Sequence, residues 1–305
     1  MIVARPLVES DLPAVLELLR ADERRWFSEP LSTLDEVRAQ WSAPDFDLGR
    51  DSEGWTDGDA LVAFGTLEPR GGIELVVDES WAGAGLEDTV LDRWEAEARR
   101  RGLWSVHRDL SASDHEGRAR LEGRGWVVER EGWLLALGAA VAVEERDLPG
   151  GYLVRPMVEA DVGAAYAVVR DAFAPYGGPA RSSGDWRAGR IERPDVTLEH
   201  CRVATWRGAV VGVCLVEDPQ DDAGAGAGVE RGAEAWVPQL AVQDTHRRRG
   251  VARALLASTT LAARARGVPR LALYTHADTG ARGLYERFGM VVRQAVVECR
   301  LTFGG

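Results

Sequence analysis

Two segments of the chain, 150 residues apart, carry apolar residues at the spacing of one helix face. The first set is Leu12, Val15, Leu16 and Leu19, and the second is Val162, Ala165, Tyr166 and Val169. Residues at i, i+3, i+4 and i+7 fall on one side of an α-helix, so each segment predicts an amphipathic helix. Asp11 precedes the first segment as a typical helix start.

The apolar pattern then changes from helical spacing to short continuous runs, which indicates strands. Strands are predicted at 60–66 and 209–216, at 73–77 and 235–242, and at 271–275. In each half, one of these strands, 73–77 or 235–242, leads into a turn and a second helix. This helix ends at Gly102 in the first half and at Gly267 in the second. Arginines precede each glycine, as expected of a C-terminal cap. A short helix is predicted at 279–288. Each half of the chain is therefore predicted to be α/β.

The two halves are copies of one unit. Arg5-Pro6 returns as Arg155-Pro156, an offset of 150, whereas Gly85 and Asp114 return as Gly250 and Asp278, offsets of 165 and 164. The larger offset predicts an insertion of some 15 residues, and the Ala/Gly/Asp-rich segment 219–232 is expected to be this flexible loop. We predict domains at 1–147 and 152–305, joined near 146–151.

Charge and composition narrow the class of protein. The 305 residues contain 49 acidic and 37 basic side chains, a formal net charge of -12, which disfavours nucleic acid and anionic membranes as partners. No apolar run is long enough to span a bilayer, and no secretory signal is recognisable, so we expect a cytoplasmic location. The cysteines Cys201, Cys214 and Cys299 and the five scattered histidines predict neither a disulfide framework nor a metal site.

The most informative segment runs from Leu240 to Leu256. A strand ends at Val242, a loop carries three consecutive arginines before Gly250, and a helix follows. Small residues at Gly250 and Ala252 let backbone N–H groups approach an anion, and the helix start adds a partial positive charge. Such a turn fits a pyrophosphate, although the arginines alone would equally fit a solvated helix start.

Residues 152–303 resemble the GNAT acetyltransferase superfamily. Arg247 to Ala252 fit its acyl-CoA signature R/Q-x-x-G-x-G/A, and residues 281–290 resemble its second landmark, a helix with Leu-Tyr-Glu that ends in glycine. The resemblance implies two tandem GNAT-like domains, each a mixed, splayed β-sheet flanked by helices. Acetyl-CoA would be the co-substrate, and no metal is implied.

The resemblance also implies roles for individual residues. Tyr285 would be the general acid that protonates the departing thiolate of CoA. Asp278 stands where the family often has Asn, so it could accept but not donate a hydrogen bond. The residues expected to contact acetyl-CoA are Leu240, Ala241, Val242, Arg247, Arg248, Arg249, Gly250, Val251, Ala252, Arg253 and Asp278.

The general base is open at this point. Glu234 precedes the splayed strand roughly where some family members hold a base, but Trp236 competes for that position. Glu217, His276 and a water chain are alternatives. Trp186 and Tyr176 fall in a loop region where GNAT enzymes often line the acceptor site.

The first copy departs from the signature at each working position. Ala82, Gly83 and Ala84 replace the arginines, Glu87 brings a negative charge to the position of Ala252, and Leu121 replaces Tyr285. We expect a degenerate domain that does not catalyse the reaction. The layout is similar to that of mycothiol synthase, a tandem member of the family with one working half.

The expected activity is acetyl transfer from acetyl-CoA to a primary amine of a small molecule. Two alternatives are open: acetylation of a cysteinyl amino sugar, as by mycothiol synthase, and a non-catalytic regulator that binds acyl-CoA. An enzyme that acetylates aminoglycosides would be a variant of the first, catalytic alternative. The expected partner is a small-molecule amine, with no nucleic acid or membrane, and the chain is expected to be a monomer or homodimer.

Overall fold

The computed structural model describes residues 2–27, 30, 32–145, 147–176, 182–219 and 234–304. These residues form two compact units. Unit 1 comprises the described residues of Met1–Gly132 and Gln294–Gly305, and unit 2 those of Trp133–Asp221 and Gly226–Arg293. The predicted loop at 219–232 lies outside the described residues except for Pro219, as does Arg146 of the predicted junction.

Unit 1 alternates strands and helices. Its elements are β1 (Ile2–Arg5), α1 (Leu12–Trp26), α2 (Leu34–Trp41), α3 (Leu48–Asp51), β2 (Ser52–Asp57), β3 (Ala60–Leu67), β4 (Ile73–Val77), α4 (Leu86–Arg100), β5 (Ser105–Ser111), α5 (His115–Gly123) and the first part of β6 (Val127–Leu137). Strands β1 to β4 form an antiparallel sheet in chain order.

Unit 2 repeats this order of elements except for the short helix α3. It contains β7 (Tyr152–Pro156), α6 (Val162–Phe173), α7 (Ser183–Arg190), β8 (Arg202–Trp206), β9 (Ala209–Glu217), β10 (Glu234–Val242), α8 (Val251–Ala265), β11 (Arg270–His276), α9 (Arg282–Phe288) and the start of β12 (Val291–Thr302). The strand order β11-β10-β9-β8-β7 is mixed, because β10 and β11 are parallel and the other pairs are antiparallel.

The predicted helices and strands are confirmed, with one difference before Tyr285. The segment predicted as a helix from 279 contains a 3₁₀ turn at Ala277–Thr279, then Gly280 at φ +62°, and only then α9. A residue at positive φ cannot continue a right-handed helix, so the helix starts three residues later than its sequence pattern suggests.

The repeat is visible in one ion pair that is built twice. In unit 1 the guanidinium of Arg5 donates to both carboxylate oxygens of Asp11, at 2.6 and 2.7 Å, and the same carboxylate accepts from the backbone of Val8. In unit 2 Arg155 and Asp161 form the same pair at 2.7 and 2.8 Å. Bidentate pairs of this kind fix geometry, so each holds a strand against the start of the following helix.

The compact units and the sequence repeats divide the chain differently. The boundary between the units falls within β6 and within β12, so the last residues of the chain pack in unit 1. There, Val296 to Thr302 pair antiparallel with Ser111 to Ser105 of β5, and Val297, Cys299 and Leu301 are buried in its core. The domain limits 1–147 and 152–305 therefore stay a prediction about the repeats.

The three cysteines are buried and unpaired, and no helix in the described part of the chain is long and apolar enough to cross a membrane.

Candidate functional site

Strands β10 and β11 pair at one end and separate at the other. Parallel pairing runs only from Glu234–Arg270 to Trp236–Ala272, whereas β10 continues to Val242. On its other edge β10 stays paired with β9, through a register shift between Trp236 and Gln239. The predicted splay is therefore present, and it leaves a wedge between the ends of β10 and β11 in unit 2.

The residues expected to contact the thioester lie along this wedge. Leu240, Ala241 and Val242 form the end of β10, and the last two are buried. Their pairing with Cys214, Val213 and Gly212 uses the edge toward β9. The edge toward β11 therefore offers backbone groups to an extended ligand.

The arginine turn follows directly after β10. Arg248 has φ +60° and Gly250 has φ +87°, so two residues of the turn adopt the left-handed conformation. Helix α8 starts at Val251. The backbone N–H groups of 248–253 donate to no acceptor in the described part of the chain. Clustered N–H donors at a helix start are the arrangement that binds phosphate groups.

The side chains around this turn add positive charge. Arg247, Arg248 and Arg249 are exposed, whereas Arg253 and Ala252 of α8 are half-buried. Arg247 is held by Asp244, at 2.9 Å, and by the carbonyl oxygen of Val242, at 3.2 Å. The turn thus presents both backbone donors and guanidinium groups to an anion.

His246, which the sequence analysis did not single out, supports this turn. Nδ1 of His246 lies 2.6 Å from the hydroxyl of Tyr152 on β7, and the ring packs against Trp206 with centroids 5.4 Å apart. His246 therefore anchors the segment immediately before Arg247.

Tyr285 lies in α9 and is 7% exposed. Burial raises the pKa of its phenol above the ordinary value, and it raises the pKa of the nearby Cys214 thiol to about 12. The phenol is therefore protonated at neutral pH.

Asp278 and the start of α9 differ between the copies. Asp278 is exposed in the 3₁₀ turn, and the hydroxyl of Thr279, rather than Asp278, accepts from the backbone N–H of Ala281. In unit 1 the corresponding Asp114 caps α5 through the N–H of Gly117. Freed from capping, the Asp278 carboxylate is exposed at the end of β11.

The two carboxylates considered as base have different surroundings. Both oxygens of Glu234 lie 2.8 Å from Nη1 of Arg293. Glu217 is opposite Trp236, where the register of β10 shifts, and its side chain is 13% exposed. Burial raises its pKa, and Arg190 and Arg193 act against that shift from 3.5 and 3.7 Å.

The remaining sequence candidates lie on different elements of unit 2. His276 ends β11, and its buried Nδ1 has no hydrogen-bond partner in the described residues. Trp186 is buried and donates through Nε1 to the side-chain oxygen of Gln239, at 2.9 Å, beside the register shift. Tyr176 packs near Phe173, with ring centroids 6.4 Å apart.

Unit 1 keeps the shape of this site but not its chemistry. Gly83 and Gly85, at φ +76° and +80°, reproduce the turn, and Gly72, just before β4, forms an isolated parallel bridge with His107 of β5. Nη2 of Arg108 on β5 donates to the carbonyl oxygen of Leu75 on β4, at 2.9 Å. This arginine therefore bridges β4 and β5 across the splay of unit 1.

The sequence analysis missed Arg108, although a signal was present. Strands β5 and β11 are offset by 165 at both ends, so Arg108 corresponds to Leu273. A cationic arginine in place of an apolar leucine was the difference that the sequence already showed.

Comparison with known proteins agrees with this geometry. Residues 166–290 match the family model described as Acetyltransferase (GNAT) family. No curated protein sequence matches the chain.

Three solved structures share the fold. A GCN5-related N-acetyltransferase from Sphaerobacter thermophilus is 24% identical, with TM-score 0.83 over 99% of this chain and 95% of that one. A tandem GNAT protein from the clavulanic acid biosynthesis pathway is 14% identical, with TM-score 0.71 over 100% and 99%. A glucosamine N-acetyltransferase region of a fungal multi-domain β-N-acetylglucosaminidase is 14% identical, with TM-score 0.72 over 99% and 38%. Residues 166–290 therefore match the GNAT family model, and the whole chain shares the fold of these structures, one of which is a tandem GNAT protein.

Proposed function

Starting from the match of residues 166–290 to the GNAT family model, we propose that unit 2 transfers an acetyl group from acetyl-CoA to a primary amine of a small molecule. The observation that carries the proposal is the open wedge between β10 and β11, which leads directly into a turn of unpartnered N–H donors. An acyl-CoA needs both an extended groove for its pantetheine arm and an anion site for its pyrophosphate.

The turn and the strand would divide the binding of acetyl-CoA between them. Backbone N–H groups of 248–253 and the side chains of Arg247 to Arg249 and Arg253 would hold the pyrophosphate. Leu240 to Val242 would pair with the pantetheine arm, and one of their N–H groups would stabilise the oxyanion that develops at the thioester carbonyl. Asp278 would accept from a pantetheine amide.

The reaction forms a C–N bond and breaks the C–S bond of the thioester. The base removes one proton from the attacking amine, and Tyr285 gives one proton to the departing sulfur, so the products are an amide and a free thiol. Proton exchange with solvent then returns the base and Tyr285 to their starting protonation states. The net charge of -12 favours a cationic acceptor, because a negative surface raises the local concentration of ammonium compounds.

We propose Glu217 as the base in preference to Glu234. The raised pKa of Glu217 increases its affinity for a proton, and it lies at the register shift of β10. Both carboxylate oxygens of Glu234, in contrast, already accept hydrogen bonds from Nη1 of Arg293.

The assignment of Tyr285 is tested by Tyr285→Phe. We expect kcat to fall about 100-fold, at the lower end of the usual effect of a general acid, with the KM for acetyl-CoA within about threefold. Release of CoA thiol in the presence of a panel of simple amines, a cysteinyl amino sugar and aminoglycosides provides the assay. Tyr274→Phe, on the exposed face of β11, is the matched control and should retain activity. An unchanged kcat for Tyr285→Phe would exclude this residue as the acid.

The same panel distinguishes the alternatives. Turnover confined to the cysteinyl amino sugar would favour the activity of mycothiol synthase. Binding of acetyl-CoA without thiol release for any amine would favour the non-catalytic regulator.

A further inference from the structure

Gln239 lies on the same face of the unit 2 sheet as the proposed base. It is opposite Leu215 of β9, and Glu217 follows two residues later on that strand. Directly opposite residues, and residues two positions apart on a strand, point to the same face of a sheet. Diagonal neighbours of this kind have β-carbons roughly 7 Å apart, so one small molecule can contact both Gln239 and Glu217.

The orientation of the Gln239 amide is fixed by one hydrogen bond. Nε1 of Trp186 on α7 donates to Oε1 of Gln239, at 2.9 Å. An indole N–H donates a hydrogen bond and cannot accept one, so it requires the oxygen of the amide and not the nitrogen. The Nε2 group of Gln239 is therefore directed away from Trp186.

This amide nitrogen is accessible to a ligand. In the described part of the chain Nε2 of Gln239 donates to no acceptor, and it is not one of the buried polar atoms without a partner. The side chain is half-buried, so Nε2 presents its two N–H donors at the surface of the site. The next residue, Leu240, starts the part of β10 assigned to the thioester. The donors therefore lie beside the place proposed for acetyl transfer.

Unit 1 folds without this hydrogen-bonded pair. Strands β4 and β10 end 165 residues apart, so Glu74 is the counterpart of Gln239. Helices α2 and α7 start 149 residues apart, so Val37 is the counterpart of Trp186, and it is buried in the core of unit 1. The framework therefore does not require the indole or the amide, which favours a role for the pair in the chemistry of unit 2.

We infer that Gln239 selects the acceptor: its Nε2 donates to an oxygen that two carbons separate from the amine nitrogen, while Glu217 removes the proton of the amine. The inference rests on the transfer reaction proposed above and deepens it. The substrate class is a primary amine with a hydroxyl, ether or carbonyl oxygen at this position. An alkyl amine of the same size would leave the N–H donors against hydrocarbon, and a site built to donate a hydrogen bond disfavours such an analogue.

The kinetic test compares two acceptors of equal size. 2-Methoxyethylamine has an ether oxygen, which only accepts hydrogen bonds, where butylamine has a methylene group. Release of CoA thiol by the full-length protein at saturating acetyl-CoA gives kcat/KM for each amine. The ratio of the two values is compared between variants, so the difference in basicity between the amines cancels.

The variants separate the donor from the fold. Gln239→Met removes the amide, whereas Gln239→Glu keeps an oxygen for Trp186 and loses the donor, and each should lower the ratio about fivefold. Gln40→Met, which removes a glutamine of unit 1 that donates to Glu68, is the matched control and should leave the ratio unchanged.

A binding test needs no turnover. The chain has five glutamines and no asparagine, so its ¹H–¹⁵N spectrum contains few side-chain NH₂ signals, and Gln239→Met assigns the pair from Gln239. With CoA present, 2-methoxyethylamine should shift this pair saturably, and butylamine should shift it far less. The remaining signals show whether each variant is folded.

The two tests distinguish failure of this inference from failure of the transfer reaction. An unchanged ratio in Gln239→Met or Gln239→Glu, with turnover intact, would overturn the inference and leave the transfer reaction standing. Absence of turnover for every amine would contradict the transfer reaction. In that case a selective shift of the Gln239 signals would still support recognition of the oxygen, and its absence would overturn the inference as well.

Discussion

At the scale of single residues, the arginine turn contains two residues with positive φ, of which the sequence predicted one, Gly250, and not the other, Arg248. The left-handed φ of Gly250 follows from its place before a helix, and the sequence indicates it. The same conformation at Arg248 could be inferred only from the first copy, where Gly83 occupies the position. The turn therefore keeps a charged side chain at a cost in backbone strain.

This trade-off is tested by Arg248→Gly. A non-glycine residue at positive φ costs about 1 kcal/mol, so the variant should be more stable to urea by up to that amount. Loss of one charge-assisted contact should weaken acetyl-CoA binding about five- to tenfold, measured by calorimetry. Arg249→Gly is the matched control: its φ is not positive, so it should lose affinity without gaining stability. A gain in stability for Arg249→Gly of equal size would contradict the explanation by strain.

A second prediction at this scale concerns the pH dependence of kcat. The base must be deprotonated to act, and the pKa of Glu217 is raised, so activity should be lost on acidification at a pH above the ordinary range of a glutamate. Glu217→Gln should lower kcat about 100-fold and remove this acidic limb. Glu234→Gln should leave the limb in place. If Glu234→Gln removes it instead, the assignment must be reversed.

At the scale of elements, the sequence predicted the strands and helices well and their pairing less well. Periodicity and glycine caps are local signals, which is why α1, α6 and the segment from β10 to α8 were predicted close to their observed limits. The pairing of β12 with β5 is not local, because it joins residues almost 200 positions apart. Nothing in the repeat pattern indicates that the final strand completes the core of unit 1.

This pairing predicts that residues 1–147 do not fold alone. Without β12, strand β5 loses its antiparallel neighbour, and the core loses Val297, Cys299 and Leu301. Circular dichroism should show no cooperative urea transition for the fragment. Addition of a peptide of residues 291–304 should restore one. Cooperative unfolding of the fragment without the peptide would support the domain limits taken from the repeat.

At the scale of the whole molecule, duplication produced two similar frameworks with different chemistry. The sequence predicts that unit 2 is the working copy because unit 1 has Glu87 in place of Ala252 and Leu121 in place of Tyr285. It could not identify the acceptor, since acceptor specificity depends on how side chains from separate loops come together. The arrangement of Trp186, Gln239 and Glu217 near the register shift became visible only in the structure.

The central claim is that unit 2 alone binds acetyl-CoA, and calorimetric titration of the full chain tests it most directly. We predict one site per chain, lost in Gly250→Asp, because aspartate is strained at positive φ and places a negative charge in the anion site. The matched variant Gly85→Asp in unit 1 should still bind one equivalent. Two sites per chain, or binding that survives Gly250→Asp but not Gly85→Asp, would contradict the account.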